Sequence, residues 1–364
     1  MGQPLNVGII GAGAISGAYL TTLERLGALR LTAVTDLDRA RAERLAERAG
    51  GGVAVAASSD ELLARDDVEA VLNLTLPAVH AEISLAALNA GKHVYSEKPL
   101  AATREDADAL LAAASATGLR LGCAPDTVLG AGTQTARKAV DDGLIGTPVA
   151  ATAFMTSSGP ESWHPDPEFY YQPGGGPLLD MGPYYLSALV HLLGPVVRVT
   201  GAASRPRQIR TIGSGPKAGT RFPVAVDTHV TGILQHASGA LSTLVMSFDV
   251  PASQLPRIEV YGTAGSLSVP DPNRFDGTPA LSRGDAWEAL PYSAGHQPGG
   301  RGTGLADMAE AIRDGRPHLA SAELAAHVLD TMLTLLDAAR DGGTLPVSRT
   351  TERPPAMPGV ATAA

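Results

Sequence analysis

Short apolar runs alternate with amphipathic stretches over the first 125 residues. LNVGII (5–10) predicts a buried strand, and GAGAISGAYLTTLERL after it predicts a glycine turn that opens a helix. LTAVTD (31–36) predicts a second strand, and DRARAERLAERAG (38–50) a charged amphipathic helix stopped by glycines. VAVAAS (53–58) and SSDELLAR (58–65) predict a strand and a capped helix. AVLNLTLP (70–77), HVYSEKP (93–99) and RLGCAP (120–125) read as further strands, separated by helices at 80–91 and 103–118. Regular strand–helix alternation predicts a parallel sheet wound on both faces, and therefore the α/β class.

The texture changes after Pro125. A helix is predicted at 133–146, a strand over TPVAATAFMTS, and a loop rich in Pro, Gly and aromatics at 157–177. Asp180 to Leu193 reads as a helix. From about 196 to 292 the pattern is strand and turn, which predicts a large, mostly antiparallel open sheet with hairpins. Two helices are expected at 305–317 and 321–343, followed by a Pro- and Thr-rich tail. The expected domains are 1–125, 126–345 and an extended or mobile tail at 346–364, with helices 305–343 free to pack back on the first domain.

The chain has 364 residues, 44% hydrophobic and 18% charged, enough apolar surface for sizeable cores and too much for a disordered chain. Net charge is −9 without a basic block, which argues against nucleic-acid binding. A single cysteine, Cys123, excludes an intramolecular disulfide, and no spacing suggests a metal site. MGQPLNVGII lacks the features of a secretion signal, and no uncharged run reaches about 18 residues, so a cytoplasmic location without membrane contact is expected. Only Lys92, Lys98, Lys138 and Lys217 are lysine among 28 basic residues, which draws attention to each as a group able to move a proton. Aromatics are scarce. Seven of the fifteen fall close together: Phe154, Trp163, Phe169, Tyr170, Tyr171, Tyr184 and Tyr185.

Gly11-Ala12-Gly13-Ala14-Ile15-Ser16 stands between the first strand and first helix, as a dinucleotide fingerprint requires. Gly11 permits the tight turn, Gly13 permits close approach of a pyrophosphate, and the helix start at Ala14 and Ile15 supplies amides. Asp36 ends the second strand, where a carboxylate accepts from ribose hydroxyls and disfavours a 2′-phosphate. NAD is therefore expected. Arg39 and Arg41 keep NADP as the alternative.

Two further segments carry a resemblance. Thr75, Pro77 and His80, followed by AGKHVYSEKP (90–99), resemble the middle of the Gfo/Idh/MocA family, the glucose–fructose oxidoreductase and inositol dehydrogenase group. GGGPLLDMGPYYL (174–186) and IEVYGTAGSLSV (258–269) extend the likeness over most of the chain. The resemblance implies an N-terminal Rossmann domain, a C-terminal α/β domain, homodimers or homotetramers, and NAD(P)-dependent redox chemistry on a sugar or polyol. It also implies that Thr75, Pro77, His80, Glu97 and Lys98 line the cofactor site, with Lys98 at the nicotinamide. The residues agree: Lys98 follows a parallel strand at the edge where open sheets bind ligands.

Asp180 and Tyr184 are spaced i, i+4 and share a helix face. The family motif has His at the second position, so this chain departs from it. Three assignments stay open: Tyr184 as acid/base, its phenol pKa lowered by Lys98; Lys98 acting alone; or His164 supplying an imidazole. Helix packing for Tyr184 and N-capping for Asp180 are the competing structural readings. Trp163, His164 and Tyr171 suit a carbohydrate, and Asp126 is a further substrate candidate; loop packing competes for the aromatics. Three functions fit the same parts: a sugar or cyclitol dehydrogenase, a glycosidase that oxidises its sugar transiently, and a non-catalytic NAD-binding sensor.

Overall fold

The computed structural model describes residues 3–357 and 359–362. The chain begins with β1 (Leu5–Ile10), α1 (Ser16–Leu23), β2 (Leu29–Thr35), α2 (Arg39–Arg48), β3 (Ala54–Val55), α3 (Ser59–Leu63), β4 (Ala70–Asn73), α4 (His80–Asn89), β5 (His93–Ser96), α5 (Arg104–Thr117) and β6 (Leu121–Cys123). All six strands are parallel neighbours in the order β3-β2-β1-β4-β5-β6. That is the doubly wound order, reversing direction beside β1. Val7, Ile9, Val34, Val71, Leu72 and Val94 are wholly buried, each worth roughly 1.5–3 kcal/mol of transfer free energy. Local chemistry starts the helices. Asp38 accepts from the Ala40 amide, Ser58 from Glu61 and Thr103 from Asp106.

The second stretch contains α6 (Ala131–Asp141), β7 (Pro148–Thr156), α7 (Pro177–Leu193), β8 (Val196–Ser204), β9 (Ile209–Thr211), β10 (Arg221–Pro223), β11 (His229–His236), β12 (Leu241–Ser247), β13 (Ile258–Gly262), β14 (Gly265–Val269), β15 (Ala280–Ser282) and β16 (Glu288–Ala289). Then come β17 (Gly295–Gln297), α8 (Thr303–Asp314), α9 (Ala322–Asp341), β18 (Thr344–Pro346) and β19 (Val360–Thr362). Nine strands form one sheet in the order β16-β15-β14-β13-β7-β12-β11-β8-β18. Every pairing in it is antiparallel except β7 with β12, so the sheet is mixed and mostly antiparallel.

The chain divides into two compact units. The first holds the residues up to Ala131, those from Ala294 to Ala326, and those from Met357 onward; the second holds Gly132–Ser293 and His327–Ala356. A single boundary at 125/126 therefore does not describe the chain. Of the two terminal helices, α8 belongs to the first unit, while α9 passes from the first to the second. The described part of the tail is tied down: β18 pairs with β8, Arg353 donates to the His191 and Leu192 carbonyls that end α7, and β19 pairs with β17. Among the described residues no helix is long and apolar enough to cross a membrane.

In the second unit α7 and α9 cover one face of the large sheet. Contact is close enough to exclude a side chain at Gly201, which pairs with Gly232 across β8 and β11. A Cβ at Gly201 would lie 2.7 Å from Leu335 Cδ1 and 2.8 Å from the Leu335 carbonyl oxygen on α9. The backbone oxygen cannot move aside cheaply. Gly201→Ala should therefore cost about 1–3 kcal/mol, read as a lower urea midpoint at unchanged m-value; an unchanged midpoint would refute this packing.

Candidate active site

In a sheet of parallel strands the C-terminal edge collects the loops that bind ligands. At this edge β1 runs into Gly11, whose φ is +101°, a region open to glycine and strained for other residues. A Cβ there would also lie 2.6 Å from the Leu74 carbonyl oxygen. Gly13 differs, since a Cβ added to it would meet nothing within 4 Å. Among the described residues no protein acceptor meets the amides of Gly13, Ala14 and Ile15, and α1 starts without a side-chain cap. An open cradle of free amides at a helix start fits a pyrophosphate.

Asp36 follows β2 and is half-buried. One carboxylate oxygen accepts from the Ala12 amide at 2.6 Å and the other from the Asp38 amide at 2.8 Å. A carboxylate has about four acceptor positions, so each oxygen keeps one for a ribose hydroxyl. Arg39 and Arg41 are engaged elsewhere, with Glu43 at 2.8 Å and Asp38 at 3.3 Å. Leu37 and Leu76 are largely exposed beside these loops, apolar surface of the kind a purine ring covers. The residues present fit NAD.

A web of buried polar groups shapes the loops after β4 and β5. Asn73, at the end of β4, donates to the His80 carbonyl and Ser84 Oγ, and its side-chain oxygen accepts from the Thr75 amide and hydroxyl. His80 is buried, with Nδ1 2.8 Å from the Pro99 carbonyl and Nε2 3.0 Å from the Thr75 carbonyl. Burial lowers its pKa, outweighing the two carbonyl contacts. A neutral imidazole carries one N–H, so His80 donates to one of the two carbonyls, and it has almost no surface to offer a cofactor. Glu97 is also buried: Oε1 accepts from the Tyr19 phenol and Oε2 from the Lys98 amide, both at 2.9 Å. Thr75, Pro77 and Lys98 remain at least partly exposed at this edge. Sequence reasoning missed Asn73 and Tyr19. The one available signal was a polar residue ending the apolar run of β4.

Asp126 is not a substrate group. It is wholly buried in the first unit, and its Oδ2 accepts from the Gly302 and Gly304 amides at 2.8 and 3.0 Å, capping α8. Those amides lie more than 170 residues away, which hides the role from any local reading. Burial pushes its pKa up to about 6, against the opposing pull of the two amides and Arg301.

In the second unit α7 begins at Pro177 behind the N-cap Gly176, so Asp180 sits one turn inside the helix and is not its cap. Asp180 is half-buried and Tyr184, on the next turn, is buried, with 4% of its surface exposed. The aromatic loop before α7 divides in two. Tyr171 is wholly buried against Phe222 and Phe248, its hydroxyl donates to Glu161, and the Arg210 guanidinium lies 4.9 Å from its ring. It therefore offers no face to a sugar. Glu161 and Asp249 flank Arg210, and Thr228 donates to Asp249 at 2.6 Å, so buried charge pins the loop. Trp163 is 64% exposed and packs edge-on with His164. His164 Nδ1 accepts from the Asp166 amide. Among the described residues no group of three His, Cys, Asp or Glu is placed to hold a metal ion.

Comparison with known proteins places the chain in a family. Residues 5–124 match the model of the oxidoreductase family with an NAD-binding Rossmann fold, and residues 133–268 match that of the GFO/IDH/MocA C-terminal domain. The dTDP-3,4-didehydro-2,6-dideoxy-α-D-glucose 3-reductase of Streptomyces antibioticus is 34% identical over 272 residues, 71% of this chain and 80% of the relative. The chain belongs to the Gfo/Idh/MocA family of NAD-binding oxidoreductases. Another Gfo/Idh/MocA relative, inositol 2-dehydrogenase 3 of Saccharopolyspora erythraea, is 31% identical over 280 residues, 74% of each chain. An NAD-binding oxidoreductase from Klebsiella pneumoniae superposes with a TM-score of 0.80 at 26% identity, covering 94% of this chain and 99% of that one.

Asp126 gives this family member a pH-dependent stability. Its folded pKa, about 6, lies above the ordinary 3.8, so the folded state binds the proton more tightly and stability falls as pH rises between about 4 and 6. The full effect is roughly 3 kcal/mol. Asp126→Asn keeps an acceptor for the two amides without the charge. Urea unfolding at pH 4.5 and 7 should show the wild type losing ground to Asp126→Asn at the higher pH; a constant difference would refute it.

Proposed function

We propose that the chain is an NAD-dependent dehydrogenase or reductase acting on a hydroxyl-bearing carbon of a sugar, sugar derivative or cyclitol. The observation that carries the reading is the position of Lys98. It follows β5, two strands from β1 in the sheet order, which is about 10 Å along the edge that presents the Gly13–Ile15 cradle. That span suits the distance from pyrophosphate to nicotinamide. Bound NAD supplies a hydride acceptor. Lys98 holds the reacting oxygen and takes its proton on oxidation or returns it on reduction. In the second unit Asp180 and Tyr184 are the proposed substrate-hydroxyl partners, with Tyr184 where the family motif carries His. Trp163 and His164 are the proposed sugar-facing groups of the loop. The substrates named for the relatives, a deoxysugar nucleotide and an inositol, support this class.

Assay at 340 nm against a panel including myo-inositol, 1,5-anhydro-D-fructose and common hexoses tests the reading. Lys98→Met should lower kcat by about 10²–10⁴ with NAD affinity little changed. Near-normal kcat would remove Lys98 from the reaction. Tyr184→Phe should lose the alkaline limb of the kcat profile if the phenol moves the proton, and retain it if Lys98 acts alone. With Asp36 in place, kcat/KM should be higher for NAD than for NADP, and the reverse ratio would refute the assigned ribose contact.

We also propose that the face of the large sheet away from α7 and α9 is an interface between copies of the chain. Ile233 is 49% exposed there, and Thr200 and Thr243 pair beside it across the strands. Uncharged, half-exposed positions such as Thr152, Phe154 and Val245 continue the face. Sedimentation should find a dimer or tetramer that Ile233→Lys shifts towards monomer. A monomeric wild type contradicts the proposal.

A further inference from the structure

We infer that Tyr19 is a positioning residue for Lys98: its phenol fixes the Glu97 carboxylate, and that carboxylate fixes the peptide nitrogen of the lysine. The inference rests on the proposed role of Lys98 and goes beyond it. Tyr19 lies on α1, one turn after the helix start that bears the cradle of free amides, and is wholly buried. Its hydroxyl meets Glu97 Oε1 across 78 residues of sequence, while Glu97 Oε2 takes the Lys98 amide. A carboxylate is planar, so two bonds to opposite oxygens fix its rotation. Burial and the adjacent Glu97 push the Tyr19 phenol well above its ordinary pKa, so it stays a donor.

Packing alone does not explain the hydroxyl. Phenylalanine fills the same space in the core, and a buried polar atom is favourable only when it is satisfied. What the hydroxyl adds is a rigid link between the dinucleotide helix and the loop that carries the lysine. Any shift of α1 on cofactor binding then reaches Lys98 through a single carboxylate.

The test is Tyr19→Phe in the intact chain. NAD is the binding probe, and the panel substrate turned over fastest is used for rates. We expect kcat to fall at least about tenfold, with the Kd for NAD and the substrate KM changed less than about threefold, a split equivalent to roughly one factor of ten in transition-state stabilisation alone. Residue-resolved hydrogen exchange needs no substrate: the Lys98 amide should exchange at least about tenfold faster, while the Val94 amide, bonded to the Arg120 carbonyl, stays protected. Glu97→Gln supplies rescue, because its oxygen still accepts from Lys98 and its amide group donates to the phenol oxygen. It should retain more activity than Glu97→Ala. Wild-type kcat and wild-type Lys98 exchange in Tyr19→Phe overturn the inference. So does a loss spread equally over kcat, Kd and the exchange of all β5 amides, which marks a merely structural residue. Lys98→Met separates the two claims. If it is inactive while Tyr19→Phe is normal, only the inference fails; if it turns over normally, the reading and the inference both fail.

Discussion

At Gly11 there is no room for a side chain. The peptide leaves β1 with φ at +101°, and the carbonyl oxygen of Leu74, arriving from β4, lies 2.6 Å from where a Cβ would stand. Two neighbouring parallel strands therefore end pressed against each other, and the chain must turn sharply into α1. That turn leaves the amides of Gly13 to Ile15 at the sheet edge without acceptors among the described residues. It also brings the Ala12 amide to Asp36, so the groups proposed for pyrophosphate and ribose are set by one backbone approach.

The other buried polar groups of the first unit hold backbone in place. Asn73, His80, Glu97 and Asp126 each satisfy amides or carbonyls at loops that regular hydrogen bonding does not reach. Asn73 and His80 shape the loop after β4, Glu97 the lysine loop, and Asp126 the start of α8. Lys98 is different: it stays partly exposed at the end of β5. The second unit repeats the logic with charge. Glu161, Arg210 and Asp249 are nearly buried and anchor the loop whose far side leaves Trp163 and Phe169 exposed.

Local periodicity made the first sheet legible. The strands at 5–10, 70–73, 93–96 and 121–123 lie within the predicted runs, because fully buried parallel strands read as apolar stretches. The third strand shrinks to Ala54–Val55, since its edge position needs only two paired residues. α7 starts three residues before its predicted beginning because Pro177 suits a first helical position and Gly176 precedes it. Contacts distant in sequence were not legible. Nothing near Asp126 announces Gly302, and nothing in the loop distinguishes buried Tyr171 from exposed Trp163. The aromatic cluster noted in the composition is thus partly core and partly surface. Of the groups proposed for the site, the glycine turn, Asp36 and Lys98 were legible because motif spacing marks them. Tyr19 and Asn73 were not, because only the fold shows what a buried hydroxyl or amide touches.

The central claim is that NAD lies along the C-terminal edge of the first sheet, from the Gly13 cradle to Lys98. A crystal structure of the chain with NAD tests it most directly. The account predicts pyrophosphate oxygens within hydrogen-bond reach of the Gly13–Ile15 amides, ribose hydroxyls on Asp36, and the nicotinamide ring beside Lys98. A cofactor bound away from that edge, or with its nicotinamide remote from Lys98, would contradict it.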